Sequence, residues 1–180
     1  QDKIVESLNK NNYNTAISES NKFISKNGLL NASLFPLEYY NTHNFEKYTG
    51  PEMLIEKGIL TSIIKPTFDS KIILHNTHLQ SDSMGPIKQI CRKYRNIQKN
   101  SLILYTSQFK SLNVIAGDLN DDINTLNHTQ FINNFPYENL ITNKNKIITF
   151  PSTQEQLDYI IFNENLYTKY FTEDVFTEKL

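Results

Sequence analysis

Apolar and polar positions change period several times along the chain, and each change marks an element. Ile4, Val5 and Leu8 recur at helical spacing within residues 3–11, so the opening reads as a short helix. Residues 13–18 and 28–35 read as strands, followed by Pro36 and the run Leu37-Glu38-Tyr39-Tyr40. Gly50-Pro51 marks a turn. Residues 57–64 and 71–78 are two strong strand candidates, and the six residues from Lys65 to Ser70 predict a hairpin with a rather long loop. Ile87, Ile90, Cys91, Tyr94 and Ile97 fall at spacings of three and four, which predicts a helix over 87–109 with its basic residues on a solvated face. Residues 112–116 are apolar apart from Asn113 and read as a strand covered on both faces. A helix over 125–134 and strands over 146–150 and 157–162 complete the pattern, with a loop at 151–154. Strands and helices mix throughout, so the expected architecture is one α/β domain.

A length of 180 residues is enough for one domain with a sizeable core. Hydrophobic content of 38% and charged content of 21% are ordinary for a globular chain. The net charge of −1 gives no electrostatic case for a nucleic-acid surface. One cysteine, Cys91, excludes an internal disulfide and a cysteine-rich metal site. Its helical setting predicts a small core residue. No apolar stretch approaches the ~20 residues that span a bilayer. Phe45 and Tyr48, near Thr49-Gly50-Pro51, read better as core or turn anchors than as a lipid-touching tip.

Three short segments carry the candidate chemistry. His78 ends a strand whose alternation turns Leu74, Asn76 and His78 to one side. A histidine there can donate to a phosphate oxygen, although alone it reads better as a structural, hydrogen-bonded residue. His43, His75 and His128 keep that structural reading. Gly117-Asp118-Leu119-Asn120 follows the apolar run; in extended chain Asp118 and Asn120 face the same way, offering a carboxylate for water and an amide for a phosphate oxygen. The competing reading is an Asx turn. Asp158 opens the last apolar strand, near a sheet rim. The three positions are separated by 118 − 78 = 40 and 158 − 118 = 40 residues, room each time for a connecting helix and a return strand. All three can therefore reach one sheet edge.

At these residues the chain resembles the endonuclease/exonuclease/phosphatase superfamily, and within it the neutral and bacterial-type sphingomyelinases. Thr77-His78-Leu79-Gln80-Ser81 is similar to their Thr-His-x-Gln-Ser element, and Gly117-Asp118-Leu119-Asn120 to their Gly-Asp-Leu-Asn. Leu157-Asp158-Tyr159-Ile160-Ile161-Phe162 resembles their Leu-Asp-Tyr-Ile-Phe strand. Softer likenesses are Asn27-Gly28-Leu29-Leu30, Ser33 with Pro36, Lys57-Gly58, and Arg95 with Gln98; together they run from about residue 27 to about residue 162.

The resemblance implies a DNase I-like sandwich of two mostly antiparallel sheets flanked by helices, with residues 1–180 forming a single, partial domain. It implies a phosphodiesterase dependent on Mg²⁺ (or Mn²⁺), hydrolysing sphingomyelin at a membrane surface to ceramide and phosphocholine. Asp118 would activate water, Asn120 would hold a phosphate oxygen, His78 would stabilise the transition state, and Asp158 would support His78 or the metal shell. A nuclease or other phosphoesterase, with a basic groove from Lys88, Arg92 and Arg95, is the alternative; an inactive binding module is another. The family's metal-binding Glu is expected upstream of Gln1, and its terminal Asp-His pair occurs nowhere in the chain, so this chain is expected to be a fragment with little activity of its own. A monomer is expected, secreted or cytoplasmic, with peripheral membrane contact compatible with either.

Overall fold

Residues 58–78 are rich in β-branched side chains, and the two-residue period of Ile59, Thr61 and Ile63 sets the middle of a sheet. In the computed structural model, which describes residues 2–18, 28–46, 49–82, 85–122, 124–135, 140–141, 148–149, 151–152 and 154–163, the elements are α1 (Asp2–Lys10), β1 (Asn14–Ile17), β2 (Leu30–Ser33), β3 (Leu37–Asn44), β4 (Gly58–Thr67), β5 (Ser70–His78), α2 (Lys88–Thr106), β6 (Leu112–Asp118), α3 (Leu126–Asn133), β7 (Leu140–Ile141) and β8 (Asp158–Asn163). A short 3₁₀ turn covers Gly50–Leu54. Six strands form one sheet in the order β3-β4-β5-β6-β8-β7, and β1 pairs with β2 in a second, two-stranded sheet. Among the described residues only β5 and β6 run parallel, joined by α2 as a crossover; the other pairs are antiparallel.

The two faces of the large sheet differ. On one, Ile59, Ile115, Tyr159 and Ile161 are buried against Leu102 and Tyr105 of α2 and Phe131 of α3. Each fully buried aliphatic side chain there contributes roughly 1.5–3 kcal/mol. On the other face, β2 lies across β4 and β5: Asn31 Nδ2 donates to Ser62 Oγ at 2.9 Å and Asn76 Nδ2 to the Leu30 carbonyl at 3.1 Å. Val114 and Ala116 on that face are only half-buried, so β6 is fully covered on one side and not on both.

The pattern-based elements hold with four corrections. Between β4 and β5 the register slips between Ile64 and Thr67, which takes Pro66 into the strand, and only Phe68 and Asp69 remain as turn. Proline is tolerated at such an irregularity because no ladder N–H is needed there. The run at Leu37 is the start of a full strand, with an irregularity between Tyr39 and Asn41. Of the strand expected over 146–150, only Ile148 and Thr149 are described, and they are not in a strand. The fourth correction is the largest. Ile90 and Ile97, assigned to the buried stripe of α2, are 44% and 38% exposed, whereas Arg95, Gln98 and Lys99 are buried beside Cys91, Leu102 and Tyr105. The helix is turned so that its polar residues face inward, because partners for them wait on the loops that follow β5 and β6.

Candidate functional site

Strand register brings the three motifs together. His78 pairs with Asp118 across the parallel β5–β6 edge, and Asp118 pairs with Asp158 across β6–β8. Residues in register on adjacent strands point to the same face and sit about 5 Å apart. An imidazole and two carboxylates thus form one lateral row at the rim. His78 Nε2 lies 3.6 Å from Asp118 Oδ2, with the two side chains 46% and 31% exposed. Among the described residues this is the carboxylate in contact with His78; Glu52 and Asp158 act on it at longer range, through their charges.

The close approach of β5 and β6 depends on Gly117. Its φ is +139°, and a Cβ there would lie 1.9 Å from the Thr77 carbonyl oxygen. Beyond the pair His78–Asp118 the backbones stay joined: the Leu79 N–H donates to the Asp118 carbonyl at 2.9 Å and the Leu119 N–H to the Leu157 carbonyl at 2.8 Å.

Asn120 departs from the extended geometry expected of it. Its φ is +52°, and its N–H donates to Asp118 Oδ1 at 2.7 Å, so the Asx turn weighed as the competing reading is present. Its side-chain amide donates to the Leu79 carbonyl at 2.9 Å. One Asp118 oxygen is thereby held by the turn, while the other faces His78.

Two residues that the motif reading did not single out for the site belong to it. Lys57 is 3% exposed; its Nζ donates to the Leu79 carbonyl at 3.0 Å and pairs with Glu52 Oε1 at 2.8 Å. Glu52 in turn accepts from the Ser81 N–H at 3.0 Å and from Ser81 Oγ at 2.9 Å. The Lys57-Gly58 step was the available signal for the lysine. Nothing local marks Glu52 for the site, because Ser81, which joins it to the loop after His78, lies 29 positions away. The loop after His78 is pinned from both sides. Gln80, fully buried, joins Thr49 through its side chain, and its backbone N–H and carbonyl meet Gln98 Oε1 at 2.7 Å and Arg95 Nη1 at 2.9 Å.

Burial pushes the Asp118 carboxyl up to about 6, and the charges of Asp158 and Glu52 push the same way; the Asn120 N–H and Lys57 oppose them. Burial also draws His78 down from its ordinary value, assisted by the Lys57 charge and opposed by Glu52 and Asp158. In this row burial thus favours the neutral form of both the His78 imidazole and the Asp118 carboxyl. Burial raises the Tyr159 phenol, which donates to the Asp121 and Gln156 carbonyls and stays protonated.

Lys88, Arg92 and Arg95, the residues expected to line a basic groove, share one acidic partner. All three converge on Asp82, at 3.8, 3.1 and 2.8 Å, and Arg95 is buried. His75 is buried between Thr61 Oγ1 and Asn113 Oδ1, and burial holds it down at about 4. His43 stacks on Tyr105 and His128 on Tyr159. Phe45 is a core residue and Cys91 is buried; Tyr48 lies outside the described residues. Among the described residues no group of three or more His, Cys, Asp or Glu has metal-holding geometry, and no helix is long and apolar enough to cross a membrane.

No protein-family model and no curated protein sequence matches the chain. Solved structures do. SmcL superposes with a TM-score of 0.73 at 18% identity, over 91% of this chain and 65% of that one. A beta toxin variant from Staphylococcus aureus with bound magnesium ions gives 0.68 at 18% identity, over 91% and 67%. Sphingomyelinase C from Streptomyces griseocarneus gives 0.59 at 17% identity, over 84% and 62%. The chain thus spans about two thirds of the length of these structures. The fold is the DNase I-like one that the three motifs led us to expect, built here as a partial domain.

Proposed function

We propose that the protein carrying this chain is a divalent-metal-dependent phosphodiesterase. The observation that carries the proposal is the lateral row of His78, Asp118 and Asp158, with 3.6 Å between imidazole and carboxylate. Neutral His78 is a donor for a non-bridging phosphate oxygen, where charge grows as water attacks. Asp118, beside His78, is placed to orient a water for attack. Asn120 fixes one oxygen of Asp118 and, through the Leu79 carbonyl, the strand end that carries His78. Lys57 adds a buried positive charge behind both.

Asp118 and Asp158 supply two anionic oxygen donors on neighbouring strands, and their repulsion is one reason the Asp118 carboxyl is raised. That donor set fits a hard divalent cation that keeps several waters, with Asp118 and Asp158 as the residues to hold it. When bound, such a cation neutralises the phosphodiester and polarises it towards attack.

Sphingomyelin is the substrate we favour. Gln80-Ser81 and the Leu157-Asp158-Tyr159 start of β8 resemble the sphingomyelinase elements, and sphingomyelinase C is among the structures of similar fold. The test uses the full-length protein with Mg²⁺ on sphingomyelin vesicles and on plasmid DNA. Phosphocholine release, reduced by roughly two to four orders of magnitude in Asp118→Asn, is the expected result. DNA nicking without phosphocholine release would move the site to the nuclease branch, and neither activity would leave a binding module.

A further inference from the structure

The turn that carries Glu52 has a second side. While Glu52 bonds to Ser81 and Lys57, the next three residues, Met53, Leu54 and Ile55, are 59%, 57% and 38% exposed. Three successive aliphatic side chains in water are unusual beside a polar site. Next to them, across Ser81, Asp82 gathers Lys88, Arg92 and Arg95, three cations on one carboxylate, which leaves a surplus of two positive charges (3 − 1 = 2). Lys88 and Arg92 are 51% and 52% exposed. Both features flank Ser81, three residues beyond His78.

We propose that Met53, Leu54 and Ile55, together with the cations around Asp82, form the surface by which the protein docks onto a phospholipid bilayer. The proposal rests on the phosphodiesterase reading of the adjoining site and adds the surface that delivers its substrate. A bilayer interface stacks phosphate groups directly above acyl chains, and peripheral surfaces enter it by roughly 5–10 Å with aliphatic residues below and Lys or Arg above. Here both components, an apolar turn and a cation surplus, adjoin Ser81 close to His78. Charge complementarity selects the lipid phosphates as its occupant. A protein seated on the same rim would cover the approach to His78 and Asp118, whereas a bilayer presents the phosphodiester to them.

The test is co-sedimentation of the full chain, in an Asp118→Asn background that preserves the vesicles, with phosphatidylcholine vesicles prepared with and without phosphatidylserine. Met53→Ser/Leu54→Ser should weaken binding to both at least tenfold without moving the thermal midpoint; Met53→Lys alone is the milder check. Arg92→Glu should weaken binding chiefly to the phosphatidylserine vesicles and only at low salt. In the Asp118 protein, Met53→Ser/Leu54→Ser should leave hydrolysis of the soluble ester bis(p-nitrophenyl) phosphate unchanged. Vesicle binding that is absent in the parent, or undiminished in the folded double variant, overturns the proposal. So does self-association of the parent that the double variant abolishes, which would make a second copy the occupant. Vesicle binding that follows these residues while soluble-ester hydrolysis is absent supports the docking surface and refutes the site assignment instead.

Discussion

Replacing Gly117 by alanine tests the geometry on which the row of His78, Asp118 and Asp158 depends. The φ of +139° is a region open essentially to glycine, and holding another residue there costs on the order of 1–3 kcal/mol. The steric cost adds to it. A Cβ would sit 1.9 Å from the Thr77 carbonyl oxygen and 3.0 Å from its carbon, so β5 and β6 must part by more than 1 Å. That separation occurs at the pair immediately before His78–Asp118, whose 3.6 Å contact opens with it. We expect Gly117→Ala to lose about 3 kcal/mol or more in urea denaturation, a midpoint shift of about 1.5 M for an m-value near 2 kcal/mol/M. Gly28→Ala is the internal control: φ is +72°, but nothing lies within 4 Å of the added Cβ, so about 1 kcal/mol is expected. If Gly117→Ala unfolds within about 0.5 kcal/mol of the parent, beyond ordinary surface noise, the close approach of the two strands is not as described.

Other expectations follow from the same residues. Because folding raises Asp118 from 3.8 to about 6, the folded chain binds more protons than the unfolded one across that window, and stability should fall as pH rises through it. The full linkage, about 3 kcal/mol, shrinks to roughly 1–2 kcal/mol for a carboxyl about a third exposed, and Asp118→Asn should remove the slope in pH-dependent denaturation. Asp158→Asn takes away a like charge and should lower the Asp118 pKa in carboxyl ¹³C NMR; an unchanged value would separate the two side chains. Lys99 and Asp121, 4% and 5% exposed, form a buried ion pair, so Lys99→Met alone should cost about 3–5 kcal/mol by thermal denaturation. Lys99→Met/Asp121→Val should recover most of that loss, because no uncompensated charge remains.

The site row was legible in the sequence because it rests on local rules. Alternation in β5 gives the direction of His78, glycine before Asp118 marks a strand exit, and an acid before an apolar run marks the entry to β8. What stayed hidden was set by partners distant in sequence. Arg95, Gln98 and Lys99 are polar by composition and read as solvated, yet each answers a group on a loop: the Gln80 carbonyl, the Gln80 N–H, and Asp121. Lys57 and Glu52 meet at the Leu79–Ser81 segment, which no periodicity connects to them. Asn120 stays ambiguous in the sequence for a local reason. The sequence Asp-Leu-Asn suits both a strand and an Asx turn, and only the bond from its N–H to Asp118 decides between them.

The inward-facing polar side of α2 gives the helix a rotational setting that hydrophobicity could not supply. A stripe of leucines slides and turns at small cost, whereas a guanidinium, a carboxamide and an ammonium each meet their partner at one angle only. Seating α2 therefore sets the strand-end loops behind His78 and Asp118 in the same event, so that crossover and rim assemble as one cooperative unit. Repacking that helix with aliphatic residues would free its rotation and loosen the very loops it now indexes.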